Sequence, residues 1–430
     1  MHVSRVYARL QKAQLRHPMR KRLACWDDIA MDKSLDLKLA DIHGNPSSKA
    51  FILADAKDAD MAFGIAAPGR SPEHNDGGFR SLGEYRDLIR RNVQQGLLDI
   101  MLMSVSTNEV LTIRERIFDG STITPAVRAN DTTDIHVARG SSYPSQPSRP
   151  FRTALIEHAQ CGRLGCDDGS RHMGANLGLY SVTFNNDIEA DLRTLQAYRD
   201  FRVEAEQKGF RHFLEVFAPN NPVNPISKGA LGGFLNDLIV RTLAGVAMVG
   251  RPIFLKMVYT GPAAMEELTH YDPHLVPGIL GGSAGTTYDA FKLLAEAKKH
   301  GARAALFGRK INNAEHQLSF IQFLRWVADE QMSAEEAVRA YHGVLQGLKI
   351  KPHRPLQDDM RLTDPSLGYL GQKTGVKTVS HSYAAPAKPQ QADGTSSQPG
   401  QNWPVKPDGN PDFANMTPQQ RLAYHKHRLG

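Results

Sequence analysis

Residues 252–262 read PIFLKMVYTGP. The run 252–258 has the large apolar and β-branched composition of a buried strand, and a Tyr-Thr-Gly turn follows it. Lys256 sits in its middle with apolar neighbours on both sides. A buried ammonium is costly, so this lysine needs a partner or a task.

Seven more runs of the same kind surround it. In chain order the strand candidates are 50–55 (AFILAD), 98–103 (LDIMLM), 123–129 (ITPAVRA), 179–184 (LYSVTF), 212–217 (HFLEVF), 252–258, 276–280 (VPGIL) and 302–307 (ARAALF). Amphipathic stretches with helical spacing lie between them, such as LGEYRDLIRRNVQQG, IEADLRTLQAYRDFRVEAEQKG and TTYDAFKLLAEAKKHG, each ending in a glycine suited to a C-cap. Eight β-then-α units in one chain predict an α/β fold of the (β/α)8 TIM-barrel type rather than an open doubly wound sheet.

This assigns 1–48 to a basic N-terminal extension, 49–350 to the barrel, and 351–430 to a C-terminal tail. Within the barrel, 130–176 reads as a long insertion after the third strand, carrying SSYPSQPSRP and expected over the C-terminal face. From 372 to about 411 the chain is rich in Pro, Gly, Ser and Gln, the composition of a disordered linker. The final MTPQQRLAYHKHRLG predicts a short helix with Thr417 as N-cap, Pro418 in its first turn and Gln420 completing a capping box, of a kind that docks on a second subunit.

Bulk charge narrows the function classes. Seven of the 52 lysines and arginines lie in residues 1–22, which contain no acid, so the rest of the chain balances at 45 basic and 45 acidic residues. A neutral body predicts no extended nucleic-acid groove, although the basic arm suits phosphates or an acidic partner. An Arg-rich start also resembles a transit peptide, but this one has a single serine. No apolar run reaches membrane-spanning length, and three cysteines without a signal peptide predict a reducing cytoplasm.

In such a barrel, reactive side chains project from the C-terminal ends of strands. The first strand is expected to end at Asp55, with Lys57 and Asp58 just beyond. The fifth carries Glu215 and the sixth Lys256, which on adjacent strands would form an ion pair, structural or catalytic. The seventh runs into Gly281, Gly282 and Ser283, and the eighth into Gly308 and Arg309. Glycine backbone and a guanidinium after the last two strands suit a phosphate. In the insertion, His158, Cys161, Cys166 and His172 are ligand types, but their spacing does not match a standard zinc pair, and incidental loop cysteines are the expectation. Cys25 beside Trp26 reads as a packed residue.

From Phe254 to Ile311, LKMVYTGP, VPGILGGS and GARAALFGRKI resemble the motifs KVxYTG, PxGG and GAxGxxxGR of the class I aldolases, in the deoxyribose-phosphate and archaeal-type fructose-bisphosphate group. HFLEVFAP is similar to the strand that carries a catalytic glutamate in the related tagatose-bisphosphate aldolases. ILADAKD loosely resembles their first strand, although AKD replaces the usual His-Gly or Gln-Arg-Gly after the aspartate.

The resemblance implies a lyase in which Lys256 forms the Schiff base, Glu215 transfers protons, Asp55 is a polar partner and Tyr259 a second proton-transfer candidate. It likewise implies that Gly281, Gly282, Ser283, Gly308 and Arg309 cradle a substrate phosphate. Desolvation would disfavour the charged form of Lys256 and free the neutral amine to attack a carbonyl. The resulting iminium serves as electron sink, so neither metal nor cofactor is expected. The expected partners are a phosphorylated small molecule and further copies of the chain, with no membrane or nucleic acid. Two alternatives stay open: a phosphosugar isomerase, epimerase or transferase on the same barrel, or a non-catalytic barrel serving assembly.

Overall fold

In the computed structural model, the described residues are 32–71, 78–136, 138–282, 285–370 and, near the C-terminus, 404–407, 412, 415–417 and 420. The strands in chain order are β1 (Ile52–Lys57), β2 (Ile100–Met103), β3 (Thr124–Arg128), β4 (Asp131–Thr132), β5 (Pro150–Phe151), β6 (Leu177–Thr183), β7 (Arg211–Phe217), β8 (Leu255–Met257), β9 (Gly278–Leu280) and β10 (Ala304–Phe307). Eight of them close into a parallel (β/α)8 barrel in the order β1-β2-β3-β6-β7-β8-β9-β10, and β10 pairs back onto β1. The eight strands expected from the sequence are these eight. β4 and β5 form a separate antiparallel pair within the insertion.

Alternation along the strands divides their side chains into two sets. Ile52, Ala54 and Ala56 of β1, Ile100, Leu102, Ala126, Leu177, Leu179, Phe213, Ala304 and Leu306 form one buried cluster, with Phe254 and Val276 from the strand approaches. This cluster fills the lumen. The alternate positions, among them Leu53, Met101, Met103, Tyr180, Val182, Leu214, Val216, Leu255 and Met257, pack against the surrounding helices.

Local signals fix the helices. Helix Leu82–Gln95 opens with a reciprocal Ser81–Glu84 capping box and stops at Gly96, whose φ of 73° favours glycine. Helix Thr287–Lys299 opens with the equivalent Thr286–Asp289 box. The basic extension expected over 1–48 is described from residue 32 onward, and there it belongs to the barrel. Helix Ser34–Gly44 inserts Leu35 and Leu39 into the lumen cluster, while Lys38 Nζ donates to Phe51 O at 3.0 Å and pairs with Asp99 at 2.7 Å. The helix therefore plugs the N-terminal end of the barrel.

The first part of the insertion lies at the opposite, C-terminal end, whereas its second part runs back beside the barrel, where Gln160 Nε2 donates to Lys208 O and Asn176 Nδ2 to Gly209 O just before β7. In the first part, Ser148 N donates to Asn220 Oδ1, and Asn220 and Asn221 donate to the carbonyls of Pro144, Gln146 and Ser145. This stitches the Ser/Pro-rich segment to the loop after β7. Cys161 and Cys166, expected to be incidental, are paired as a disulfide across a turn in which Gly162 and Gly165 have φ of 78° and 69°. The two glycines fold the chain back until the Cα atoms are 6.1 Å apart.

The chain divides into two units, Met1–Tyr383 and Ala384–Gly430. In the second, the expected capping box is present: Thr417 N donates to Gln420 Oε1 and Gln420 N to Thr417 Oγ1. The arm 1–31 with Cys25, the linker from 372 to 403 and the end of the terminal helix lie outside the described residues. No described helix is long and apolar enough to cross a membrane.

Candidate active site

Above the apolar lumen layer the same alternation turns polar. Arg128 continues the inward set of β3, Ser181 that of β6, Glu215 that of β7 and Lys256 that of β8. Four neighbouring strands thus deliver four polar side chains into one layer.

Glu215 and Lys256 are in register on β7 and β8, and Lys256 Nζ lies 2.5 Å from Glu215 Oε1. Both are buried, at 1% and 6% exposure. The second oxygen, Oε2, accepts from Ser181 Oγ at 2.6 Å and from Arg128 Nη2 at 3.5 Å. Arg128 also donates through Nη1 to Ser181 Oγ at 3.0 Å and through Nε to Asp58 Oδ2 at 2.5 Å. Asn130 pins the Ser181 backbone from both sides, accepting from Ser181 N and donating to Ser181 O.

The result is a chain of alternating charge, Asp58–Arg128–Glu215–Lys256, in which every buried ion has an opposite neighbour. Burial pulls the Arg128 guanidinium down, but Asp58, Glu215 and Asp131 outweigh it and raise it, so this cation is permanent. The apolar sleeve that the strand sequence suggests for Lys256 is therefore a polar network in the folded protein.

One expected participant lies elsewhere. β1 runs to Lys57 rather than ending at Asp55, which places Asp55 mid-strand on the outward set with Leu53. There Asp55 accepts from Asn92 at 2.7 Å and pairs with Lys57 at 3.5 Å, and Lys57 donates to Gln317 at 3.0 Å. This is a buried clasp between barrel and helices. Burial pushes Asp55 up and Lys57 down, against their mutual attraction. The inward carboxylate from this part of the chain is Asp58. The ring of Tyr259 packs with the outer cluster that includes Met265, Ile279 and Phe291.

The glycines gather at the ends of β9 and β10, next to β8. Gly281 N donates to Leu306 O at 3.0 Å, and a Cβ there would lie 2.0 Å from the Phe307 ring. Gly282 has φ of 58°, and a Cβ on Gly308 would lie 2.8 Å from Ala56 O. Arg309 stacks its guanidinium over Phe63 at 5.3 Å. Ser283 is outside the described residues. Lys310, passed over in the sequence, ties the two loops by donating to Gly285 O and Thr286 O at 2.8 and 2.9 Å. Burial lowers its amine to about 8.

Among the described residues, no three His, Cys, Asp or Glu side chains converge to hold a metal. A cavity of about 450 Å³ lined by Lys298, Glu330, Met332 and Ser333 lies in the helix layer and contains none of the lumen residues.

No protein-family model and no curated protein matches the chain. Among solved structures, the chain is similar to Schiff-base aldolases. One is a Schiff-base-forming fructose-1,6-bisphosphate aldolase, 14% identical, aligned over 69% of this chain and all of that one with a TM-score of 0.48. A second is a fructose-bisphosphate aldolase from Slackia heliotrinireducens, 13% identical over 75% of this chain and 95% of its own, TM-score 0.49. The carboxyl transferase domain of Rhizobium etli pyruvate carboxylase is a more distant likeness, 12% identical over 79% of this chain and 52% of its own, TM-score 0.40.

Proposed function

We propose that the protein is a lyase of the class I aldolase type, which breaks or forms a carbon–carbon bond in a phosphorylated sugar or related carbonyl compound through an imine on Lys256. The observation that carries this reading is the 2.5 Å contact between Lys256 Nζ and Glu215 Oε1 inside the barrel.

An ammonium cannot attack a carbonyl, and the contact supplies the way out: the proton passes from Nζ to the Glu215 carboxylate, leaving a neutral amine. Nζ then adds to the carbonyl carbon, and Glu215 returns a proton to the carbonyl oxygen to give the carbinolamine. Glu215 next takes a proton from the nitrogen and gives it to that hydroxyl, which departs as water and leaves the iminium. The electrons of the adjacent carbon–carbon bond flow into the iminium as the substrate hydroxyl yields its proton to Glu215, producing an enamine and an aldehyde. Ser181 and Arg128 hold the carboxylate in place throughout. The backbone of Gly281, Gly282 and Gly308, with Arg309 and Lys310 beside it, suits the phosphate.

A phosphosugar isomerase is the second reading, favoured by the pairing of Lys256 with Glu215, in which Lys256 would act as a fixed charge beside a Glu215 base. Incubating the protein with dihydroxyacetone phosphate and a panel of aldehydes separates the two. The aldolase reading expects new carbon–carbon bonded products that vanish in Lys256→Ala. Isomerised products alone would favour the second.

A further inference from the structure

The two halves of the barrel mouth differ in charge. The β9–β10 half presents glycine backbone, Arg309 and Lys310. The half above β1, β2 and β3 presents Asp58, Asp60, Asp131 and Asp134. Its guanidinium, Arg128, is engaged through all three nitrogens by Asp58, Ser181 and Glu215. Arg86, the other guanidinium acting on Asp60, is held by Ser106 O and Thr107 Oγ1.

In this half Asp60 and Asp131 each keep one oxygen without a donor among the described residues. Asp60 Oδ2 accepts from Ser104 Oγ at 2.6 Å, but its buried Oδ1 has no partner. Asp131, 2% exposed, has a buried Oδ1 that is also unpartnered. Buried acceptors are nearly always satisfied in folded proteins, so unsatisfied ones at a site mark places for a ligand's donors. The groups acting on Asp131 are Arg128 and His136, which favour its charge, and Asp58 and Asp60, which oppose it. Asp134 is already supplied by Ser148 and Thr183. Burial raises Asp60, and raises Asp131 to about 6, as expected of carboxylates without full solvation by donors.

We infer that the substrate carries a single phosphate, and that its other end is an uncharged polyol chain whose hydroxyls donate to Asp60 and Asp131. This deepens the aldolase reading and rests on the β9–β10 loops holding the phosphate. A second phosphate at the far end would meet carboxylates whose neighbouring guanidiniums are already committed. Hydroxyls, being donors, satisfy the orphaned oxygens instead.

Hexitol phosphates test the pocket apart from imine chemistry, because they have no carbonyl for Lys256 to attack. Calorimetric titration of the full chain with hexitol 1-phosphate and with hexitol 1,6-bisphosphate is expected to show the bisphosphate binding weaker by roughly tenfold or more. In the Asp60→Asn/Asp131→Asn variant, with its fold checked by circular dichroism, that ratio is expected to fall to within about threefold. Equal or tighter binding of the bisphosphate by the native chain overturns the inference, as does failure of the monophosphate to bind. Borohydride trapping on the same preparation reports on Lys256 alone, so loss of trapping with the monophosphate preference intact would discard the imine and keep the substrate class.

Discussion

Lys256 Nζ lies 2.5 Å from Glu215 Oε1, on adjacent strands in register, at the top of the barrel lumen. If that pair performs the chemistry, Glu215→Gln should leave Lys256 without its proton acceptor. The expected loss in kcat is roughly 10²–10⁴-fold with KM little changed, measured by steady-state kinetics. An unaltered kcat would remove Glu215 from the mechanism.

Arg128 should matter through Glu215 and Asp58 rather than through substrate. Arg128→Met takes the arginine from buried Asp58 and leaves Glu215 with Lys256 alone, and should destabilise the fold by about 3–5 kcal/mol in denaturant titration. The shorter reach and single nitrogen of Arg128→Lys should recover part of that stability but not the hold on both carboxylates. Full recovery by lysine would mean that charge alone suffices.

The glycines at the strand ends separate clash from conformation. Gly281→Ala places a Cβ against Phe307, and Gly308→Ala one against Ala56 O, so each should destabilise by about 1–3 kcal/mol through overpacking. Gly282→Ala meets no neighbour within 4 Å among the described residues and should cost only about 1–2 kcal/mol, from its positive φ. Thermal melts of the three variants check the ranking.

Asp131 makes the stability depend on pH. Its folded value, raised to about 6, lies above the ordinary carboxylate value of 3.8. As pH rises between the two, the unfolded chain gives up this proton while the folded one keeps it, so the group increasingly disfavours folding. The penalty is complete above pH 6 and is on the order of 3 kcal/mol. Asp131→Asn should therefore raise Tm at pH 7.5 and leave it nearly unchanged at pH 3.5. An equal shift at both would assign the effect to packing.

Much of this was legible in the sequence, and its omissions share a cause. Short apolar runs marked all eight strands, because a parallel strand covered on both faces is apolar on both. That same two-sided burial hides which alternate set faces the lumen. Asp55 and Asp58 are both acids near the end of the first run, and only the continuation of β1 to Lys57 sends Asp55 toward Asn92 and leaves Asp58 to meet Arg128. Lys256 and Glu215 stood out as ions inside apolar runs. Arg128 carries the same signal in ITPAVRA and could have been found by it. Ser181 could not, since a hydroxyl in a strand is unremarkable until its neighbours are known. The role of helix Ser34–Gly44 was masked by the basic arm before it, whose charge drew attention from Leu35 and Leu39.

In the aldolase reading Lys256 becomes covalently bonded to substrate. Borohydride reduction of the full chain in the presence of dihydroxyacetone phosphate, followed by peptide mass spectrometry, tests it most directly. The account predicts one stable secondary-amine adduct, on Lys256, absent from Lys256→Ala. An adduct on another lysine, or turnover of a phosphosugar with no adduct formed, would contradict it.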